Sequence, residues 1–274
     1  MTSRRPSKTS LAESRSSSGN TPTARSSLTE TSTRSVRARS EPAPPPSTDL
    51  PSLGQPLLVL NLKAYSGHLG PGAVRVAQIL ETAGREAGVA TAIAPPLPDL
   101  AYVAHSVGIP VLAQHADPGD AGARTGYVPV EAVAAAGARG SLVNHSEHPL
   151  PDPAIEDVVR RLRNLRLVAV VCAADVGPAR RLAALQPPYL AVEPPELIGG
   201  DRAVSTARPE VVSGTVEAVH VVSAKTRVLC GAGVHDRRDV SRALELGADG
   251  VLVASAVTRA PDANTAIREL LAGY

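Results

Sequence analysis

Eight short runs rich in Val, Leu, Ile and Ala recur along this chain, each followed by a helix-like stretch. No other feature limits the fold as much. The strand candidates are 57–61, 90–94, 110–114, 140–144, 167–172, 189–193, 227–231 and 249–253. The helical candidates are 71–87, 97–105, 129–136, 153–164, 177–184, 207–223, 236–246 and 262–272. A strand can pair in parallel with the next one only through a long crossover, so regular strand–helix alternation builds a parallel sheet. Eight such units are the number that closes a (β/α)8 barrel. The expected class is therefore α/β, a single (β/α)8 barrel over 55–274, with an open doubly wound sheet as the alternative.

The first 54 residues stand apart. Positions 1–50 hold 21 Ser or Thr, and the Pro-rich stretch Pro42–Pro46 precedes the first apolar run. Such a segment buries too little apolar surface to offset its ordering entropy, so residues 1–54 are expected to be a disordered extension. Eight of the 28 basic and four of the 26 acidic residues lie in positions 1–50, so the net charge of +2 comes from there. Arg4-Arg5 has no apolar segment behind it to make a signal peptide. No run of about 18 apolar residues free of charge suggests a membrane span. With no Trp and no Phe, the chain lacks a platform for stacking bases, which argues against single-stranded nucleic acid as a partner. Cys172 and Cys230, at the ends of apolar runs, read as buried free thiols in a reducing cytoplasm.

Chemistry concentrates just behind the strands. Asn61 and Lys63 follow the first, Asn144-His145-Ser146-Glu147 the fourth, and Glu193-Pro194-Pro195-Glu196-Leu197-Ile198-Gly199-Gly200 the sixth. In a parallel barrel these positions share one mouth, so groups far apart in sequence can converge. Glu193, partly desolvated there, suits a general base. His145 can donate to a carbonyl and stabilise a developing enediolate. Lys63, one of only two lysines after position 50, can attract an anion. Prolines followed by an apolar and glycine-rich tip have the composition of a lid. Gly231-Ala232-Gly233 and Ala254-Ser255, behind strands seven and eight, can offer backbone N–H groups to a phosphate. The other histidines (His68, His105, His115, His148, His220 and His235) read as structural, and no pair has the spacing of a metal site.

These residues resemble a known family. Asn61-Leu-Lys63-Ala-Tyr65, Gln114-His-Ala-Asp-Pro118, Thr125-Gly126, Asn144-His-Ser-Glu147, Glu193-Pro-Pro-Glu-Leu-Ile-Gly199, Leu229-Cys-Gly-Ala-Gly233 and Ala254-Ser255 are similar in order and spacing to triosephosphate isomerase, in particular its short, archaeal-type branch. The resemblance spans about 57–274. It implies an isomerase that interconverts dihydroxyacetone phosphate and glyceraldehyde 3-phosphate through an enediol, without a cofactor. Its implied catalytic residues are Glu193 as base, His145 as electrophile, Lys63 and the supporting acid Glu147. A glutamate base with a neutral histidine is a pairing for which this enzyme is itself a standard illustration of pKa tuning. Asn61, Lys63, Ile198, Gly199, Gly233, Ala254 and Ser255 are implied to bind the substrate, a small phosphorylated triose. A cytoplasmic homo-oligomer, dimeric or tetrameric, is implied as well, with the loop His115–Gly126 as its docking piece.

Two segments depart from the family pattern. His148-Pro149 stand where two arginines are usual, which is expected to loosen the ion pairs that brace Glu147 and the subunit contact. The lid tip reads Gly199-Gly200-Asp201-Arg202, with both charges expected to face solvent. A paralogue acting on another short sugar phosphate and a non-catalytic phosphate-binding barrel are the alternative readings.

Overall fold

The computed structural model describes residues 51–200 and 202–274. The expected tail and the orientation of Asp201 lie outside these residues. Eight strands alternate with helices: β1 Leu57–Asn61, β2 Ala90–Ala94, β3 Leu112–Ala113, β4 Gly140–Val143, β5 Val168–Ala173, β6 Tyr189–Val192, β7 Arg227–Cys230 and β8 Gly250–Val253. The helices are α1 Pro71–Ala87, α2 Leu100–Ala104, α3 Val130–Ala135, α4 Asp152–Asn164, α5 Val176–Ala183, α6 Val204–Ala207, α7 Pro209–Val222, α8 Arg237–Glu245, α9 Ser255–Thr258 and α10 Ala263–Leu271.

All strand pairs are parallel, in the order β2-β1-β8-β7-β6-β5-β4-β3. A single parallel bridge, Ile93 to Val111, joins the two ends and closes the barrel. This seam is thin because Pro110 has no N–H to give: its carbonyl accepts from the Ile93 N–H at 3.1 Å, and regular pairing on β3 shrinks to two residues. The fold is thus the (β/α)8 barrel that the alternation implied.

Side-chain parity sorts two cores. Leu57, Val59, Ala92, Ala94, Leu112, Leu142, Val170, Cys172, Tyr189, Ala191, Leu229 and Leu252 fill the barrel. Alternate residues on the same strands, such as Leu58, Leu60, Val171, Leu190, Val192 and Cys230, meet the helices outside. A fully buried Leu or Val contributes about 1.5–3 kcal/mol, so residues buried on both faces explain why the strands read as nearly continuous apolar runs.

Two further departures from the expectation have a plain physical cause. The helix over 207–223 is divided at Arg208, because Pro209 disfavours a helical residue before it and opens α7 instead. Residues 51–54, expected in the extension, pack under the barrel. Leu53 is buried, and its N–H donates to the Tyr189 hydroxyl at 3.0 Å. Both cysteines are buried free thiols on opposite faces of the sheet. Burial pushes the Cys172 thiol pKa well up and that of Cys230 up to about 12. No helix among the described residues is long and apolar enough to cross a membrane.

Candidate active site

Strand parity delivers the carboxylate first. Tyr189 and Ala191 of β6 point into the barrel, so Glu193, one step further along the same face, points inward at the C-terminal mouth. Its N–H donates to the Ala173 carbonyl at 2.8 Å, which extends the ladder to the base of the side chain. Glu193 is 7% exposed, and its Oε2 is buried with no hydrogen-bond partner among the described residues. Burial raises its pKa, and the neighbouring His145, Lys63 and Cys172 only partly oppose that. An unpaired buried carboxylate oxygen is costly, so its presence marks function rather than stability.

The histidine is oriented by backbone. Asn144 takes a left-handed conformation (φ 62°), its amide donates to the Cys172 carbonyl at 3.0 Å, and its Oδ1 accepts from the Leu150 N–H at 2.9 Å. That pinned turn swings His145 across the mouth. The Glu147 N–H donates to His145 Nδ1 at 3.2 Å, which assigns the neutral tautomer with its proton on Nε2. Nε2 lies 3.6 Å from Glu193 Oε2, beyond a hydrogen bond, so the unused donor and the unused acceptor face each other.

Lys63 is held at three points. Its backbone is left-handed (φ 51°), and its N–H donates to Asn61 Oδ1 at 3.0 Å. Gln114 Nε2 then donates to Asn61 Oδ1, the Lys63 carbonyl and the Ala94 carbonyl at 3.0–3.1 Å. The ammonium meets Glu147 Oε1 at 2.6 Å. Glu147 therefore braces Lys63 directly. His148, at the departure from the family pattern, stacks on His115, ring centroids 3.7 Å apart and 5° from parallel. Burial lowers the His115 pKa, partly offset by Asp117.

One cleft is lined by Asn61, Lys63, His145, Glu193, Ile198, Gly199, Gly233, Ala254 and Ser255. Glu147 lines the adjoining recess with His115 and His148. At the far side, the N–H groups of Gly199, Gly233 and Ser255 have no acceptor among the described residues. Gly233 (φ 69°) leaves no room for a side chain, because a Cβ there would sit 2.2 Å from the Arg202 carbonyl oxygen.

Three further residues shape the cleft in ways that the sequence reading did not assign. Gly231 is the floor under the base: a Cβ there would fall 2.8 Å from both Cγ and Oε1 of Glu193. Gln114 holds Asn61 and Lys63, and Cys172 lies against Glu193. Parity gives a signal for the first two, since Gly231 and Gln114 each follow an interior leucine (Leu229 and Leu112) by two residues.

Fold and cleft together define a (β/α)8-barrel enzyme with acid–base groups at the C-terminal ends of its strands. A family model described as "Triosephosphate isomerase" matches residues 56–270. A triosephosphate isomerase from Methanothermus fervidus is 47% identical over 219 residues, covering 80% of this chain and 99% of that protein. One from Methanopyrus kandleri is 48% identical over 220 residues (80% and 97%), and one from Caldivirga maquilingensis 47% over 215 (78% and 96%). The chain belongs to the triosephosphate isomerase family.

Proposed function

We propose that Glu193, His145 and Lys63 carry out the interconversion of dihydroxyacetone phosphate and glyceraldehyde 3-phosphate at this cleft. The observation that carries the reading is the pair of unspent groups, Glu193 Oε2 and His145 Nε2–H, facing each other 3.6 Å apart over a buried floor. Glu193 takes a proton from C1 of the ketone, leaving an enediolate whose developing oxyanion accepts from His145 Nε2–H. His145 gives its Nε2 proton to the oxygen on C2 and recovers one from the hydroxyl on C1, while the Glu193 carboxyl returns its proton to C2, giving the aldehyde and a C2 hydroxyl. Lys63, anchored by Glu147 and by the Gln114–Asn61 network, offsets the growing negative charge. The N–H groups of Gly199, Gly233 and Ser255, with Ile198 and Ala254 beside them, hold the phosphate. Side chains alone supply every proton the reaction moves, so no cofactor is needed.

Residues 1–54 lie outside this chemistry as an extension, except that residues 51–54 close the other end of the barrel. A cytoplasmic homo-oligomer completes the reading. Unpaired buried thiols agree with a reducing compartment. The loop His115–Gly126 is firm enough to dock: Asp117 accepts from the Val128 N–H and Asp157 from the Gly119 N–H, each at 2.7 Å. Light scattering of the purified chain checks the assembly; a monomer refutes it. The decisive experiment is turnover of dihydroxyacetone phosphate in D2O by the full chain and by residues 51–274. Both are expected to yield glyceraldehyde 3-phosphate carrying deuterium at C2. Absence of turnover in the full chain would overturn the reading.

A further inference from the structure

The lid tip is held from two sides by residues that the reaction above does not use. Its two glycines, Gly199 and Gly200, have no side chains to pack against the barrel, so the position of the tip depends on what its backbone carbonyls find. The Gly200 N–H donates to the Leu197 carbonyl at 3.1 Å, closing a tight turn and leaving both glycine carbonyls pointing away from it. Arg259, just after α9, donates through Nη1 to the Gly199 carbonyl at 3.4 Å. His235, between the β7 loop and α8, donates through Nε2 to the Gly200 carbonyl at 2.7 Å.

Each donor stands on a fixed support. The His235 N–H donates to Asp239 Oδ2 at 2.9 Å, at the head of α8. His68 Nε2 donates to the Thr258 carbonyl at 3.1 Å, which ties the Arg259 segment to the turn after β1. The Arg259 guanidinium also lies over the Tyr65 ring, 6.0 Å from its centroid, and Tyr65 lines the cleft. The clasp thus joins the loops after β1, β7 and β8 to the lid after β6.

We propose that Arg259 and His235 are positioning residues that hold the lid tip down over the substrate phosphate. They act on two consecutive lid carbonyls and do not touch the substrate. With those carbonyls taken, the Gly199 N–H is left for the phosphate. Arg259 further places a positive charge beside the site where a dianion arrives. This inference rests on the triose-phosphate reading of the cleft.

The test compares a phosphorylated substrate with one that has no phosphate for the lid to cover. Kcat/KM is measured for glyceraldehyde 3-phosphate and for glyceraldehyde with the parent chain, Arg259→Ala, Arg259→Lys, His235→Ala and the double variant. Loss of either donor is expected to lower kcat/KM for glyceraldehyde 3-phosphate by about tenfold to about a hundredfold, the scale of a misplaced positioning group. Arg259→Lys, which keeps a cationic donor, is expected to recover most of the loss. Isomerisation of glyceraldehyde should stay within about twofold of the parent, because the base and electrophile are untouched. Equal losses on both substrates would overturn the clasp, since they would mean general damage to the site. Variants within about twofold of an active parent on the phosphorylated substrate would overturn it too. If Arg259→Ala does not fold, Arg259→Lys and His235→Ala decide the matter in the same assay. A parent inactive on glyceraldehyde 3-phosphate would instead refute the underlying functional reading.

Discussion

The two ends of the barrel use polar groups in opposite ways. At the N-terminal end, around a cavity of about 500 Å³, the Tyr189 hydroxyl accepts from the Leu53 N–H and from Arg227 Nη1 and donates to the Gly54 carbonyl, all within 3.0–3.1 Å. Asp249 there accepts from Gln55 and from the Val228 N–H. At the C-terminal end, Glu193 Oε2 is buried with nothing to accept from among the described residues. One strand, β6, carries both designs: Tyr189 begins it and Glu193 directly follows it, on the same inward face. The larger cavity lies where the polar groups are already satisfied. Size therefore misleads about function, and the unsatisfied groups identify the working end.

The strongest way to break this contrast is Glu193→Gln. It is expected to lower kcat by roughly 10²–10⁴-fold, the range for a lost general base. It should also raise Tm by about 2 °C, because it removes an ionised group from a buried site. The sign follows from the raised pKa. The folded state binds this proton more tightly than the unfolded chain, so stability falls as pH rises through that window and stays lower above it. The thermal advantage of the variant must therefore shrink as pH is lowered. A variant as active as the parent in a coupled assay would remove Glu193 from its role. A lower Tm at neutral pH would remove the idea of a destabilised site.

The same raised pKa governs the parent's rate. Catalysis needs the ionised carboxylate, so the acid limb of kcat/KM against pH should lie above the range of an ordinary glutamate and vanish in Glu193→Gln. An acid limb at the usual carboxylate position would show that desolvation is not what tunes this base.

A subtler break leaves every reacting group in place. In Gly231→Ala the new methyl would sit 2.8 Å from Glu193 Cγ and Oε1 and 3.0 Å from the Leu252 carbonyl oxygen, so the base must move. A displacement of about 1 Å costs about a hundredfold in rate, and kcat should fall by that order while the variant remains folded. A kcat within about threefold of the parent, measured beside its melting curve, would mean that the base tolerates the shift.

How much of this was legible beforehand divides along physical lines. β1 and β2 run over 57–61 and 90–94 as the apolar pattern implied, because residues buried on both faces leave a local, periodic signature. The polar clusters behind β1, β4 and β6 were readable for a related reason, since a strand end fixes which mouth a residue reaches. What stayed hidden depends on contacts between segments. The stacking of His148 on His115 and the grip of His235 on Gly200 each join residues at least 33 positions apart, and nothing at either position announces its partner. Leu53 was hidden differently: it sits in a polar neighbourhood, yet it packs into the apolar cluster of the barrel interior while its N–H donates to the Tyr189 hydroxyl. Gly231 looked like part of a phosphate loop, whereas its nearest neighbour is the base itself.

The smallest expected effect on catalysis, at the satisfied end, is also the sharpest control. Tyr189→Phe keeps the ring and removes only the hydroxyl, leaving the buried Leu53 N–H and one Arg227 contact unpaired. Losing a buried partner costs about 1–3 kcal/mol, and a chain of this size loses about 2–4 °C of Tm for each of those. A drop of roughly 2–12 °C is therefore expected in a melting curve, with kcat and KM unchanged. Tyr189 and Glu193 share a strand and a face, so this substitution asks whether disturbance travels along β6 from one mouth to the other. A close-packed barrel interior of Ala191, Leu229 and Leu252 lies between the two levels and holds its shape, so the base should not feel the loss. If kcat fell with Tm, the two ends would be coupled, and the barrel would have to be treated as one cooperative site rather than a satisfied end beneath a mouth with unspent groups.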